Sequence, residues 1–406
     1  MTFLYTTSGE SHGPELSAIV EGIPAGLHLE KADIDRDLKR RQLGYGRGGR
    51  MKIESDEAQI TSGVRHGRTL GSPIAIRIIN ADFRHWASIM DVEPPPAGRV
   101  SSPDLRKKKR RSSKEMPVRV PRPGHADLVG IQKFGLADIR DVLERASARE
   151  TAARVAVGAI ARRLLNEFDV SVFSHVVRIG RVKARGRRRL GPEDFTSVDQ
   201  SPVRCLDPAA DKEMTGAIDE ARDKGESLGG VFEVVAFGLV PGLGSHTSGP
   251  ERLTGRIGGA LMSIPAIKGA EIGDGFALAG RPGSRAQDEI LFDSDRGFIR
   301  KTNRAGGLEG GMTTGETLVA RAVMKPIPTM TRPLDSVDVL TGRRVPAHKE
   351  RSDICAVPAA AVVGEAMVAI ELARALLKKF AGDCIGDTKE SFLMYLRRLK
   401  RSWPPA

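Results

Sequence analysis

The 406-residue chain carries 64 Lys and Arg against 51 Asp and Glu, a formal net charge of +13, with 40% hydrophobic and only 4% aromatic residues. That apolar share can fill a substantial core, and the length allows one large domain or two to three ordinary ones. No run approaches 18 uninterrupted apolar residues, which excludes a membrane-spanning helix of the usual kind.

Cys205, Cys355 and Cys384 are scattered and odd in number. They fit neither a disulfide framework nor a zinc spacing, so a reducing cytoplasm is the expected home and no metal is expected. The N-terminus lacks a basic stretch leading into an apolar run, so no signal peptide is expected. A positive surplus of this size attracts polyanions, either nucleic acid or small ligands bearing phosphates and carboxylates. The densest basic runs, RKKKRRSSK (106–114) and RVKARGRRR (181–189), lack interleaved aromatics for base stacking and accompany no nucleic-acid-binding motif. They read as solvated loops, and no nucleic-acid or membrane partner is expected. Arginines embedded in Gly-rich, uncharged turns carry more information.

In chain order, GESHG (9–13) comes first and fits the G-x-S-x-G of a hydrolase nucleophile elbow. That elbow needs a strand before it, a helix after it, and an acid and then a histidine later in the chain. Here Ser11 precedes any sheet, PELSAIVEGIP reads as a strand, and no histidine follows Asp353, the last being His348. His12 is the better candidate. It sits on a thin turn a ligand can reach, and an imidazole, titrating near ~6.5, suits proton donation to a leaving anion.

SAIVEGI (17–23) and PIAIRII (73–79) read as strands. Between them RRQLGYGRGGRMKIESD (40–56) places Arg41, Arg47 and Arg50 around four glycines, where guanidinium forks can meet carboxylate or phosphate oxygens. His66 is assigned a structural role. The Pro-, Ser- and Lys/Arg-rich stretch 92–116 reads as a mobile surface excursion, and 181–194 holds a second, shorter one. PRPGHADLVG (121–130) sets Arg122 three residues before His125 across a Pro-Gly turn. ERASARETAARVA (144–156) crowds Arg145, Ser147 and Arg149 at the start of a helix over 147–165, with Ser147 and Glu150 spaced as a capping box. A helix N-terminus of this kind is a natural anion site.

VSVFSHVVRIG (170–180) and GVFEVVAFGLV (230–240) are further strands. The Gly-rich loop NRAGGLEGGMTTGE (303–316) is followed by KPIPTM (325–330), which could hold a flat ligand. Arg351 and Asp353 stand just ahead of a helix over 358–382 that opens with Pro and closes with Lys-Lys before Gly382. Being apolar on most faces, that helix is expected to be buried. Strands and helices alternate without a βαβ rhythm, which predicts an α+β fold in one domain, 1–406, whose motifs converge on one site. No G-x-G-x-x-G follows a strand and no Walker motif is present. Two histidines, one aspartate and six or more arginines suit a highly anionic ligand with proton transfers at its centre.

The motifs GESHG, GYGRGGRM, RPGHADL, ERASARETAARV, AIKGAEIGDGF, NRAGGLEGGM, KPIPT and RSDICAVPAA, in this order, closely resemble the chorismate synthase family over nearly the whole chain. The resemblance implies a large β-α-β sandwich domain, assembled as a homotetramer. It implies an enzyme that converts 5-enolpyruvylshikimate 3-phosphate to chorismate by 1,4-anti elimination of phosphate, using reduced FMN without net redox change. In the family's mechanism the flavin lends an electron transiently and takes up the departing hydrogen at N5.

On that likeness His12 protonates the leaving phosphate, His125 stands at flavin N1, and Asp353 takes the proton from N5. Substrate oxygens fall to Ser11, Arg41, Arg47, Arg50, Arg122, Arg149 and Arg351. Arg41 and Arg47 also match positions assigned to NADP, and the two assignments compete. Flavin contacts fall on Arg145, Ala146, Ser147, Pro265, Ala266, Gly310, Lys325, Pro326, Ile327, Pro328, Thr329 and Arg351. Ala146 stands where many members have Ser, and Pro265 where many have Asn. The reductant is either NADPH acting on this chain or a separate flavin reductase.

Overall fold

The computed structural model describes residues 2–48, 55–94, 116–186, 190–348, 353–402 and 404. Arg50 and Arg351, and most of the basic stretch 92–116, lie outside the described residues. The expected strands occur as Glu15–Glu21, Ile74–Ile79, Ser171–Ile179 and Gly230–Phe237. Two-residue alternation decides where they go. Leu16, Ala18 and Val20 of one strand and Ile74, Ile76 and Ile78 of its neighbour are buried on a shared face.

Leu4–Ser8 and Ala58–Ser62 complete a four-stranded antiparallel sheet in the order Leu4–Ser8, Glu15–Glu21, Ile74–Ile79, Ala58–Ser62. A five-stranded antiparallel sheet runs Ile267–Ile272, Leu318–Met324, Gly230–Phe237, Ser171–Ile179, Val182–Lys183. Between the sheets lie three helices in mutual contact, Lys31–Gln42, Thr151–Asn166 and Val357–Lys379. The second packs on strand Glu15–Glu21, and the third on Ser171–Ile179 and Gly230–Phe237. The architecture is therefore the α+β, sheet–helix–sheet sandwich.

Two helix ends differ from expectation. Ala148–Glu150 forms a 3-10 turn, and the α-helix begins only at Thr151. Ser147 Oγ accepts from the Arg149 N–H at 3.3 Å, while Glu150 accepts from Arg154 at 3.0 Å. The reciprocal capping box is absent because the tighter turn displaces the donor it needs and the i+4 arginine takes the glutamate. Val357–Lys379 ends at Lys379, with Gly382 beyond its Phe380 cap.

That long helix has 20 of its 23 residues buried, so it needs cover on every side. Two glycines permit the approach. A Cβ on Gly364 would meet the Phe232 ring at 2.4 Å, and one on Gly158 would meet Ala366 Cβ at 2.3 Å. In the middle of the helix sits Glu365, fully buried. Arg40 grips it with both terminal nitrogens at 2.7 and 3.0 Å, Arg162 lies at 2.7 Å, and Ser174 donates at 2.9 Å. Burial opposes ionisation of Glu365, but the Arg162 and Arg40 charges outweigh it and bring its pKa down to about 2 from 4.5.

The Gly158 contact predicts that Gly158→Ala lowers unfolding free energy by ~1–3 kcal/mol in denaturant titrations, since backbone stands where the methyl must go. Glu365→Gln is expected to cost ~3–5 kcal/mol by leaving buried guanidiniums under-compensated. Because the folded pKa lies below the unfolded one, the stability from Glu365 is present above pH 4.5 and is lost as pH falls towards 2. Thermal melts of Glu365→Gln between those values should therefore show a flatter acid limb than those of the wild type.

Candidate functional site

The first turns of Thr151–Asn166 and Val357–Lys379 open on one cavity of about 460 Å³, within the usual size for a small-molecule site. The turn after strand Leu4–Ser8 brings Ser11 and His12 to it, and the Arg122–Ala126 turn brings Arg122 and His125. Among the described residues its lining carries Arg41, Arg47, Arg122, Arg149 and Lys325 against one carboxylate, Asp353. Such a lining attracts a ligand with several negative charges.

Carboxylates behind the lining hold the cations in place. Arg149 donates to both oxygens of buried Asp56 at 2.6 and 2.7 Å, and to Asn80 Oδ1 at 3.0 and 2.8 Å. Arg41 donates to Thr151 Oγ1 at 3.0 Å and to the Ala148 carbonyl at 2.9 Å. Arg122 makes a two-pronged pair with Asp127 at 2.8 and 3.1 Å, and His125 Nδ1 lies 2.5 Å from the same carboxylate. Burial raises the Asp127 pKa, but the bonds from His125 and Arg122 outweigh it and hold the carboxyl well below its usual range.

Asp353 accepts the Gly48 N–H at 2.7 Å and pairs with Arg47 at 3.1 Å. His12 Nδ1 lies 2.9 Å from Glu144 Oε1, and its ring stacks on Trp86 with centroids 3.9 Å apart. The remaining wall is small and apolar. It is formed by Ile264, Pro265 and Ala266 beside Ile327 and Pro328, joined by Leu143, Ala146, Ala359, Ala360 and Val363. Ala266 takes the left-handed conformation, φ 67°, and its carbonyl accepts the Lys325 N–H at 3.0 Å. Lys325 donates to the Gly124 carbonyl at 2.6 Å, and desolvation with the nearby Lys268 charge lowers its pKa.

The cavity thus gathers Ser11, His12, Arg41, Arg47, Arg122, His125, Ala146, Ser147, Arg149, Pro265, Ala266, Lys325, Ile327, Pro328, Thr329 and Asp353. Three expected residues do not line it. Arg145 donates to the Gly9 and Thr7 carbonyls at 3.0 Å and so anchors the His12 turn. Pro326 lies between lining neighbours, and Gly310 sits in the tight turn joining Leu308–Glu309 to Met312–Thr313.

Sequence reasoning missed Glu144, Asp127, Asp56, Asn80 and Trp86. Only Asp127, two residues after His125, carries a local signal. His66 is exposed in the turn of the Val64–Arg65/Arg68–Thr69 hairpin with φ 49° and does not line the cavity. No group of three or more metal-ligating side chains gathers among the described residues, and none of their helices is long and apolar enough to cross a membrane.

The sequence pattern of chorismate synthases matches residues 3–377. The chain is 51% identical over 401 residues to the chorismate synthase of Carboxydothermus hydrogenoformans, covering 98% of this chain and 99% of that one. It is 51% identical over 397 residues to that of Thermobifida fusca, covering 97% and 98%. A crystal structure of a chorismate synthase superposes with a TM-score of 0.78 at 40% identity, covering 99% of each chain.

Proposed function

Because the chain belongs to the chorismate synthase family, we propose that it eliminates phosphate from 5-enolpyruvylshikimate 3-phosphate to form chorismate, with reduced FMN as cofactor. The observation that carries this is the pairing of one cation-lined cavity with two histidines, each held by a carboxylate. A substrate with one phosphate and two carboxylates needs several guanidiniums to be buried at all. A charge pair at 4 Å contributes ~4 kcal/mol at an effective dielectric of 20.

The residues present fit a flat, anionic cofactor. Ala146, Ser147, Pro265, Ala266, Lys325, Ile327, Pro328 and Thr329 would hold it, largely through small side chains and backbone. Gly124, left-handed at φ 79°, lets its carbonyl accept from Lys325, which holds that cation at the cavity. Reduced FMN, when bound, supplies a transient electron and accepts the hydrogen leaving the ring.

This chain's residues bind, orient and move protons. Arg122 and Arg149, fixed by Asp127 and Asp56, bind substrate oxygens without reorganising. His12 donates a proton to the phosphate oxygen as the ring C–O bond breaks and its electron pair departs with phosphate. Asp353, tethered through Gly48 and Arg47, would take up at its carboxylate the proton released by the cofactor, and His125 would donate to developing charge there.

Assembly as a homotetramer is part of the same proposal. Phe276 is 82%, Ile290 62% and Phe298 50% exposed, and Phe298 packs edge-on against the exposed Phe292, apolar surface suited to burial between copies. Light scattering should return four times the chain mass, and a monomer at micromolar concentration would refute the assembly. For the reaction, phosphate release should be followed anaerobically with chemically reduced FMN. Omitting the reduced cofactor should abolish it, and His12→Ala or Asp353→Asn should slow it by ~10²–10⁴-fold while folding is retained. Undiminished turnover in either variant would remove that residue from its role.

A further inference from the structure

Glu144 lies outside the cavity lining, buried, on the turn just before Arg145. Its carboxylate approaches His12 at two levels. Oε2 accepts the His12 backbone N–H at 2.8 Å, and Nδ1 of the ring stands 2.9 Å from Oε1 and 3.0 Å from Oε2. Its main-chain carbonyl accepts the Ser11 N–H at 3.0 Å. Trp86 fixes the ring plane by stacking at 3.9 Å and 23°. Arg140 lies 3.8 Å from Oε1 and 5.3 Å over the Trp86 ring, so the carboxylate is itself held.

From this geometry we infer that Glu144 is the positioning residue for His12, fixing the Nδ1–H tautomer and assigning proton transfer to Nε2. A carboxylate has only lone pairs to offer, so the nitrogen facing it must carry hydrogen in both protonation states of the ring. In the imidazolium, Nδ1–H stays with Glu144 and Nε2–H goes to the departing phosphate oxygen. The C–O bonding pair leaves with phosphate, and His12 is left neutral as the Nδ1–H tautomer. With the other tautomer, Nδ1 would be a lone pair against a carboxylate, a repulsive pairing. This inference rests on His12 acting as the acid; Glu144 touches neither substrate nor cofactor.

The test has two arms on the full-length protein. In the first, histidine is labelled with 15N and the His12 signals are assigned by their loss in His12→Ala. The ligand-free protein is examined at a pH where the ring is neutral. Wild type should show a protonated Nδ1 and an unprotonated Nε2. Glu144→Gln, whose amide sets N–H donors against Nδ1, should move the signals towards the Nε2–H form. A wild-type His12 in the Nε2–H form overturns the inference without any variant.

In the second arm, phosphate release with reduced FMN should show kcat lowered ~10²–10⁴-fold in Glu144→Gln with KM changed less than ~3-fold, as expected for a wrong tautomer. Glu144→Asp should recover part of that loss. A variant that keeps both the wild-type tautomer and the wild-type kcat also overturns it. If wild type releases no phosphate, the proposed reaction fails, while the nitrogen spectra still decide what Glu144 does.

Discussion

Glu365 sits within a helix that has almost no solvent face, and an ionised carboxylate in such a place is costly unless cations reach it. Arg40 comes from Lys31–Gln42 and Arg162 from Thr151–Asn166, while Ser174 comes from strand Ser171–Ile179. Arg204, also buried, lies 3.8 Å away. One side chain thereby fixes the lateral arrangement of all three inner helices against the five-stranded sheet. Apolar packing alone tolerates sliding; a set of short charged contacts tolerates very little. Asp37 extends the network, taking Arg162 at 2.8 Å and Arg40 at 3.2 Å.

Fixing those helices fixes the site. Thr151–Asn166 and Val357–Lys379 both begin at the cavity, and their contact is set by Gly158 against Ala366. Two helix N-termini bring orphan N–H groups and positive dipole ends to the cavity. The same logic repeats at the level of side chains. Asp56, Asp127 and Glu144 are buried behind the lining, each anchoring a group that faces inward. They reduce the net charge of the region, yet they hold arginine and histidine side chains that would otherwise be free to reorganise.

Much of this was legible in the sequence wherever a signal was local. Alternating apolar residues marked Glu15–Glu21, Ile74–Ile79, Ser171–Ile179 and Gly230–Phe237, and a sustained apolar run marked the buried helix. Lys31–Gln42 escaped because two thirds of KADIDRDLKRRQ is charged, leaving a thin apolar stripe, and its buried Arg40 answers Asp199 and Glu365 elsewhere in the chain. Ile267–Ile272 and Leu318–Met324 escaped because charged residues break their pattern, among them Glu271 and Arg321, which face each other at 3.7 Å. At the site, arginines and histidines in glycine-rich turns announced themselves, since guanidinium beside flexible backbone has a ligand-binding meaning of its own. Apart from Asp127 and Asp353, their carboxylate partners did not. Glu144 is 132 residues from His12 and Asp56 is 93 from Arg149, distances that only the folded chain closes.

The segment from Glu144 to Thr151 shows why fold and chemistry cannot be tuned apart here. Within one turn and the start of a helix, Glu144 clamps His12, Arg145 ties down residues 7 and 9, and Ala146 and Ser147 line the cavity. Arg149 then joins Asp56 and Asn80, while Thr151 both receives Arg41 and opens the helix that carries Arg162 to Glu365. A substitution that shifts this backbone moves His12, the cavity-lining Arg41 and Arg149 and the central ion cluster together. The side chains that could be varied with least consequence for stability are those that face only the cavity. The tethering carboxylates have no such freedom, because each satisfies a buried cation or imidazole as well as orienting it.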